Sequence, residues 1–283
     1  MISASSIRSK LYNIAQKENI AFQVIATRYF HERLLYRLSI SSYAKYFYLK
    51  GGNFLYATQG FLTRPTIDID LLGNQISNDV EQVKETFAAI AAIPCEDAVK
   101  FHTDTIKAQS ITENSEYNGI RITFIAALDT IRQSIQIDVG FGDIVTPRPI
   151  KVKFPVLLPD IPAPHLLAYT VETVIAEKFQ TMIFLGVINS RMKDFYDVYH
   201  LLTTQDINMK TLEQSVKVTF KNRDTQLSAE HSIFSEAFRN DPARIKMWAA
   251  FLKKIKSDSN ISFPEVMKVI TEKLLPIYMQ YIA

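Results

Sequence analysis

The stretch LKGGNFLYATQGFLTRPTIDIDLL, Leu49–Leu72, places two adjacent glycines ahead of two closely spaced aspartates. Residues two apart in a β-strand point to the same face, so Asp68 and Asp70 would stand side by side. The opposite face would carry the apolar residues Ile67, Ile69 and Leu71. Neighbouring carboxylates repel each other unless a proton or a cation lies between them. Because magnesium prefers oxygen ligands and often binds carboxylates together with substrate phosphates, this stretch predicts a site for Mg²⁺ and a nucleotide.

The glycine pair Gly51-Gly52 follows a short apolar run that ends in Lys50. Glycine permits positive φ and lets the backbone approach a ligand closely. A helix that starts near Asn53 would present free backbone N–H groups, which form an anion site. A plain tight turn explains the same residues, and only the Asp-x-Asp strand that follows favours phosphate binding.

Length and composition indicate an ordinary globular protein of two domains. The chain has 283 residues, of which 47% are apolar and 22% are charged, with a net charge of +3. This mildly basic balance permits a nucleic-acid partner without requiring one. One cysteine, Cys95, rules out an intramolecular disulfide. The sequence contains neither a signal-peptide pattern nor an apolar stretch of membrane-spanning length, so we expect a soluble cytoplasmic protein without membrane contact.

Two amphipathic helices are predicted ahead of the glycine pair, over residues 5–18 and 21–38. Ser5 or Ser6 can cap the first helix. The charged side chains interleaved in the second helix are expected to face water or a partner; they are Arg28, Glu32, Arg33 and Arg37.

A third carboxylate lies in the middle of a predicted strand. After a helix over residues 77–93, strands are predicted over residues 117–128 and 133–142, where apolar side chains alternate with polar ones. Asp138 falls on the polar face of the second strand. Aspartate is depleted in strands, so Asp138 is a candidate site residue, although an aspartate facing solvent would give the same pattern.

Beyond these strands the pattern changes to helices. Residues 147–164 contain six prolines, which exclude a helix or a central strand and favour a connection between domains. In the helix that follows, Thr170 is the predicted cap and Lys178 lies within the apolar stripe. Lysine is rarely buried unpaired, so Lys178 should either extend to water or meet an anion. Asp194 and Asp197, on the next helix, are the nearest candidates; they are also compatible with a dipole-compensating aspartate and a surface charge.

Three blocks together resemble the AbiEii/AbiGii toxin family of nucleotidyltransferases. They are ERLLYRLSISSYAKYFYLKGGNFLYATQGFLTRPTIDIDLLG (residues 32–73), IQIDVGFGDIVTP (135–147) and ETVIAEKFQTMIFLGVINSRMKDFYDVYHLL (172–202). The resemblance implies an α+β fold. Its polymerase-β-like core would have a mixed, twisted sheet with flanking helices over residues 1–150. A mainly helical domain over residues 151–283 would follow and contribute to the active site.

The resemblance also implies roles for individual residues. The implied magnesium ligands are Asp68, Asp70 and Asp138, which with Lys178 and Asp194 make up the catalytic set. The implied nucleotide-binding residues are Lys50, Gly51, Gly52, Asn53, Arg64, Thr66, Lys178 and Asp197. The superfamily often has Gly-Ser at the turn, whereas this chain has Gly51-Gly52-Asn53. The hydroxyl contact to phosphate is then either missing or supplied by Asn53 or Thr66.

The implied activity is Mg²⁺-dependent transfer of a nucleotide from an NTP, with release of pyrophosphate. The implied acceptor is the 3′ end of a tRNA, and the implied partner is a cognate antitoxin in a toxin–antitoxin or abortive-infection system. Two alternatives are a glycosyltransferase that binds a nucleotide-sugar through Asp-x-Asp and a nucleotide-binding subunit that does not catalyse a reaction. Leu72 stands where haloacid-dehalogenase phosphatases require a serine or threonine, which counts against that class.

Overall fold

A computed structural model describes residues 3–113, 117–257 and 260–282 of the chain. The chain divides into two compact units. The first comprises Met1–Gly142 and Pro149–Ala168, and the second comprises Asp143–Arg148 and Tyr169–Ala283. The first unit contains a β-sheet with helices, and the second is helical over its described residues.

Over the described residues of the first unit, seven strands form one sheet in the order β3-β4-β5-β2-β1-β7-β6. The strands are β1 (Phe47–Lys50), β2 (Asp68–Gly73), β3 (Lys100–Glu113), β4 (Tyr117–Leu128), β5 (Ile131–Phe141), β6 (Ile150–Lys153) and β7 (His165–Ala168). β2 runs parallel to β5 and antiparallel to β1, so the sheet is mixed. The α+β fold class and the mixed sheet predicted from the sequence are confirmed.

The alternating pattern that predicted β4 and β5 divides the sheet into two faces. Ile135, Ile137 and Val139 of β5 are completely buried, as is Ile122 of β4. The apolar face of these strands packs against the helices and the other face carries polar groups. A shift of one residue in pairing would move the apolar side chains to the polar face, so burial fixes the register. The polar side chains of β5, including Asp138, are thereby assembled on one face.

Four helices accompany the described part of this sheet: α1 (Ala4–Lys17), α2 (Phe22–Ile40), α3 (Gly51–Gln59) and α4 (Val80–Ala91). Ser3 caps α1 by accepting a hydrogen bond from the backbone N–H of Ser6, so the cap lies two residues before the predicted Ser5. Asp79 caps α4 in the same way. Gly51 and Gly52 begin α3 directly after β1.

The prediction that the charges of α2 face water or a partner is wrong. Arg28, Glu32, Arg33 and Arg37 are all at most 6% exposed. Three of them meet groups distant in sequence: Arg37 forms a double hydrogen bond with the Asp97 carboxylate (2.6 and 3.1 Å), Arg33 donates to the Pro162 carbonyl (2.8 Å), and the Arg28 guanidinium lies over the Tyr56 ring. A helical periodicity argument cannot detect such partners.

Two further expectations differ from the structure. Ile67, expected on the buried face with Ile69 and Leu71, is 78% exposed because β2 begins one residue later, at Asp68. The proline-rich stretch contains no central strand, as predicted, but it contributes the edge strand β6, and residues 149–168 belong to the first unit. Proline is tolerated beside an edge strand, where backbone N–H groups need no partner.

The second unit consists of helices over its described residues: α5 (Val171–Leu185), α6 (Met192–Thr204), α7 (Met209–Asn222), α8 (Glu236–Arg239), α9 (Pro242–Ile255) and α10 (Phe263–Ile282). Thr170 caps α5 as predicted, and Gly186 ends it with a φ of 47°. Among the helices of the described residues, none combines the length and apolar character that a membrane span requires.

Candidate active site

Three carboxylates meet where β2 and β5 run side by side. Asp68 and Asp70 point to the same face of β2, and Asp70 is paired in register with Asp138 of β5. Oxygen atoms of the three carboxylates all lie within 4.8 Å of one another. Within the described residues this is the one group of three or more acidic, histidine or cysteine side chains close enough to share a metal ion.

Two cations flank the carboxylates in the same row across the sheet. Arg121 of β4 is paired in register with Asp138 and donates to both of its carboxylate oxygens, at 2.8 and 2.7 Å. Lys50 of β1 is paired in register with Asp70. A Cβ added to Gly140 of β5 would lie 3.4 Å from the Lys50 ammonium, so the lysine side chain crosses β2 above the acidic face. Three carboxylates against two cations leave a formal charge of −1.

The glycine turn brings the start of α3 directly onto this face. Gly51 has a φ of 61°, and a Cβ added there would lie 1.9 Å from the Asp70 Oδ2 atom. The close approach places Asp70 at the N-terminus of α3, where the helix dipole stabilises negative charge. Within the described residues, the Lys50 side chain forms no capping hydrogen bond at this N-terminus. Its backbone N–H groups can therefore bind an anion, as the sequence predicts for this turn.

Asn53, the third residue of α3, is turned into the protein rather than toward the acidic face. Its amide donates to the Asp68 carbonyl oxygen at 2.8 Å and lies 3.3 Å from Nδ1 of His31. His31 is completely enclosed, and burial lowers its pKa to about 4 despite the hydrogen bond with Asn53. A neutral imidazole and an amide thus link α2 and α3 to the start of β2.

Side-chain donors hold the carboxylates of Asp68 and Asp138. The Thr66 hydroxyl donates to Oδ1 of Asp68 at 2.9 Å. Gln136 of β5 donates to Asp138 at 3.2 Å and, with Arg121, fixes that carboxylate in place. Such second contacts orient metal-ligating groups and tune their basicity.

The donor set fits a hard divalent cation. Asp68, Asp70 and Asp138 offer only carboxylate oxygens, which suit Mg²⁺, Mn²⁺ or Ca²⁺ and not a thiophilic metal. The three carboxylates lie close enough to repel one another, and a cation between them would reduce this repulsion.

A second charged cluster lies within the helical unit. The ammonium of Lys178 lies 2.8 Å from Asp194 and 2.9 Å from Asp197, so the predicted contact between the lysine and these aspartates is present. Arg191 also binds Asp194, at 2.7 Å. Burial alone would raise the pKa of Asp194, but Lys178 and Arg191 together hold it below its usual range. Both aspartates are 2% exposed.

The sequence profile of one family matches residues 33–269, most of the chain: the nucleotidyl transferase AbiEii toxins of type IV toxin–antitoxin systems. The chain belongs to this family. The resemblance inferred from the three sequence blocks is therefore confirmed, and the acidic face of the sheet lies in a nucleotidyltransferase of the AbiEii group. A toxin of this kind implies an antitoxin as its counterpart.

Structural comparison gives JHP933 from Helicobacter pylori, with a TM-score of 0.51 and 13% identity over 92% of this chain and 94% of that chain. A second H. pylori structure has a TM-score of 0.48 and 14% identity over 93% of this chain and 97% of that chain. At 13% identity the likeness to JHP933 concerns the fold alone. A search of curated proteins returned no match.

The predicted site residues fall into two groups in the AbiEii chain. The first unit contains the three carboxylates, Lys50, the Gly51-Gly52-Asn53 turn, Arg64 and Thr66, the last two in the loop before β2. The second unit contains Lys178, Asp194 and Asp197. Sequence reasoning missed Arg121, Gln136 and His31. The alternation in β4 and β5 had put Arg121 and Gln136 on the polar face, and pairing of these strands would have placed both beside Asp138.

Proposed function

We propose that this protein transfers a nucleotidyl group from an NTP to an acceptor hydroxyl and releases pyrophosphate, with Mg²⁺ as its cofactor. The observation that carries the proposal is the group of three carboxylates whose oxygens lie within 4.8 Å of one another beside the start of α3. Membership of the AbiEii nucleotidyl transferases supports the same chemistry.

Asp68, Asp70 and Asp138 would hold the metal. When bound, a divalent cation supplies Lewis-acid stabilisation of the charge on the α-phosphate and activates the attacking hydroxyl. Arg121, through its double hydrogen bond, keeps Asp138 aimed at the other two carboxylates. A carboxylate that is already held by hydrogen bonds from the protein would need less reorganisation during the reaction.

The start of α3 and its neighbouring cations would bind the triphosphate. The backbone N–H groups of Gly51, Gly52 and Asn53 form the anion site, and Lys50 and Arg64 would neutralise charge on the departing pyrophosphate. The acceptor oxygen bonds to the α-phosphorus while the bond to the bridging oxygen of pyrophosphate breaks. Protein groups therefore act mainly by position and charge.

The role of the helical unit stays a prediction. Lys178 and Asp194 are proposed to act in transfer, and Lys178 and Asp197 in nucleotide binding, so that the helical unit contributes to the reaction. The ion pairs of Lys178 with both aspartates support a lysine held in one position, which is what a phosphate ligand needs.

For the acceptor we propose the 3′ end of a tRNA, so that transfer blocks translation, with a cognate antitoxin relieving the block. Family membership supports a toxin that is balanced by an antitoxin. The mildly basic net charge of +3 is compatible with an RNA substrate.

Sequencing of RNA 3′ ends after expression of wild-type and Asp70→Ala protein tests this function. We expect added nucleotides on tRNA 3′ ends with the wild-type protein and none with the variant. If transfer of label from NTP to any RNA or protein is absent while NTP still binds, the protein is a nucleotide-binding subunit. Transfer from a nucleotide-sugar instead would make it a glycosyltransferase.

A further inference from the structure

The hydroxyl of Thr66 touches both the glycine turn and the group of carboxylates. Its Oγ1 atom lies 2.9 Å from Oδ1 of Asp68 and 3.3 Å from the carbonyl oxygen of the same residue. A Cβ added to Gly52 would lie 2.7 Å from both Cβ and Oγ1 of Thr66. The Thr66 side chain therefore fills the space that a side chain at position 52 would occupy.

Gly52 is small for a steric reason and not for a conformational one. Gly51 has a φ of 61°, in the left-handed region that favours glycine, whereas Gly52 is absent from the positive-φ residues and lies within α3. An alanine or serine would be compatible with that backbone. It is the contact with Thr66 that excludes a larger residue.

Asn53, the other candidate for a polar contact at the turn, is committed elsewhere. Its amide donates to the Asp68 carbonyl at 2.8 Å and faces His31, and the residue is 2% exposed. Thr66 is only half-buried, and its hydroxyl lies on the acidic face. Thr66 therefore provides the side-chain hydroxyl that joins the turn to a proposed metal ligand.

We propose that Thr66 is a positioning residue that orients the Asp68 carboxylate for a divalent cation, and that Gly52 is kept without a side chain to admit it. The proposal rests on the proposed function for the identity of the ligand. A hydroxyl proton donated to Oδ1 restricts rotation of the carboxylate and leaves its other lone pairs to the cation. The side chain that orients the Asp68 carboxylate is then the same one that restricts position 52 to glycine.

Binding of Mn²⁺ to the full-length protein without nucleotide, measured by electron paramagnetic resonance, tests the role of the hydroxyl. Thr66→Val keeps the shape and removes the hydroxyl, and we expect it to weaken Mn²⁺ binding by about 10-fold or more. Thr66→Ser keeps the hydroxyl and should restore most of the affinity. Thr66→Val protein that binds Mn²⁺ like wild type, with the same melting temperature, overturns the proposal.

If Thr66→Val lowers the melting temperature, the pair Thr66→Ser and Thr66→Ala decides instead. Both variants remove the γ-methyl group, so they share the lost packing and differ in the hydroxyl alone. The serine variant is expected to bind Mn²⁺ more tightly than the alanine variant by about 10-fold or more. Equal affinities of the two variants contradict an orienting hydroxyl.

A double-mutant cycle tests the steric half of the proposal. We expect Gly52→Ser to lower the melting temperature when Thr66 is present, and to lower it much less when combined with Thr66→Ala, because the second change vacates the shared space. Equal effects of Gly52→Ser in both backgrounds contradict a shared space.

The outcomes separate this proposal from the proposed function. Weakened Mn²⁺ binding by Thr66→Val in a protein that transfers no nucleotide leaves the positioning role standing and removes the transferase. If wild type transfers nucleotide and Thr66→Val binds Mn²⁺ as tightly as wild type, the proposed function stands and the positioning role of Thr66 is overturned.

Discussion

At the scale of single residues, Gly51 has two separate reasons to be a glycine. Its φ is 61°, and any Cβ there would lie 1.9 Å from the Asp70 carboxylate. Gly60, at the other end of the same helix, has nearly the same φ of 60° but open space around it. A substitution at Gly60 would therefore cause backbone strain alone, whereas a substitution at Gly51 would cause the same strain and a collision with a proposed metal ligand.

We predict that Gly51→Ala lowers nucleotide transfer by about 100-fold or more, because displacing a ligand by roughly an ångström disrupts the alignment of reacting groups. Gly60→Ala should retain transfer and lose only the stability that its backbone strain costs. Steady-state transfer rates and melting temperatures of both variants check this. Equal activity of the two variants would show that the Asp70 contact is unimportant.

At the scale of an element, α2 is a helix whose charged groups are buried. His31 and Glu32 are neighbours on this helix, and burial shifts their pKa values in opposite directions. The pKa of His31 falls to about 4, and the pKa of Glu32 rises to about 7. The unfolded chain protonates His31 near its usual pKa of 6.5 while the folded chain does not. The contribution of His31 to stability is therefore complete above pH 6.5 and is lost as the pH falls toward 4.

Glu32 acts in the opposite sense, since its contribution is complete near pH 4.5 and is lost as the pH rises toward 7. Because the two effects overlap, we predict the difference in the free energy of unfolding between wild type and His31→Gln, in which the contribution of Glu32 cancels. Lowering the pH from 6.5 to 4 should destabilise wild type relative to the variant by about 3 kcal/mol. Urea unfolding at several pH values measures this. A difference that does not change with pH contradicts a buried neutral histidine.

Elements were predictable from the sequence where one face of a strand is apolar. The alternation in β4 and β5 fixed their positions and the direction of Asp138, and the Asp-x-Asp pattern fixed that of Asp68 and Asp70. The burial of α2 and the double hydrogen bond of Arg121 were not predictable, because their partners come from other elements. Periodicity describes one element, whereas these contacts depend on how elements pair.

At the scale of the whole molecule, the proposed part of the helical unit in the reaction rests on Lys178 and its two aspartates. Lys178 balances two carboxylates that are 2% exposed, so Lys178→Met alone would leave buried charge uncompensated and cost about 3–5 kcal/mol. Loss of activity in that variant would then reflect instability as much as chemistry.

The double variant Lys178→Met/Asp197→Asn removes one charge of each sign and leaves Asp194 with Arg191. We predict a melting temperature closer to wild type than that of Lys178→Met, but transfer reduced as strongly. Thermal unfolding and transfer assays check both parts. A stable double variant with full transfer would mean that these residues serve only the fold of their own unit.

The central claim is that the three carboxylates of the sheet perform metal-dependent nucleotidyl transfer. The most direct measurement is transfer of label from an α-labelled NTP to total RNA by the purified protein, with and without Mg²⁺, for wild type and Asp70→Asn. We predict label on RNA with wild type and Mg²⁺ only, and a loss of about 100-fold or more with Asp70→Asn, because asparagine has the shape of aspartate without its charge. Equal labelling by the variant, or labelling without a divalent cation, would contradict it.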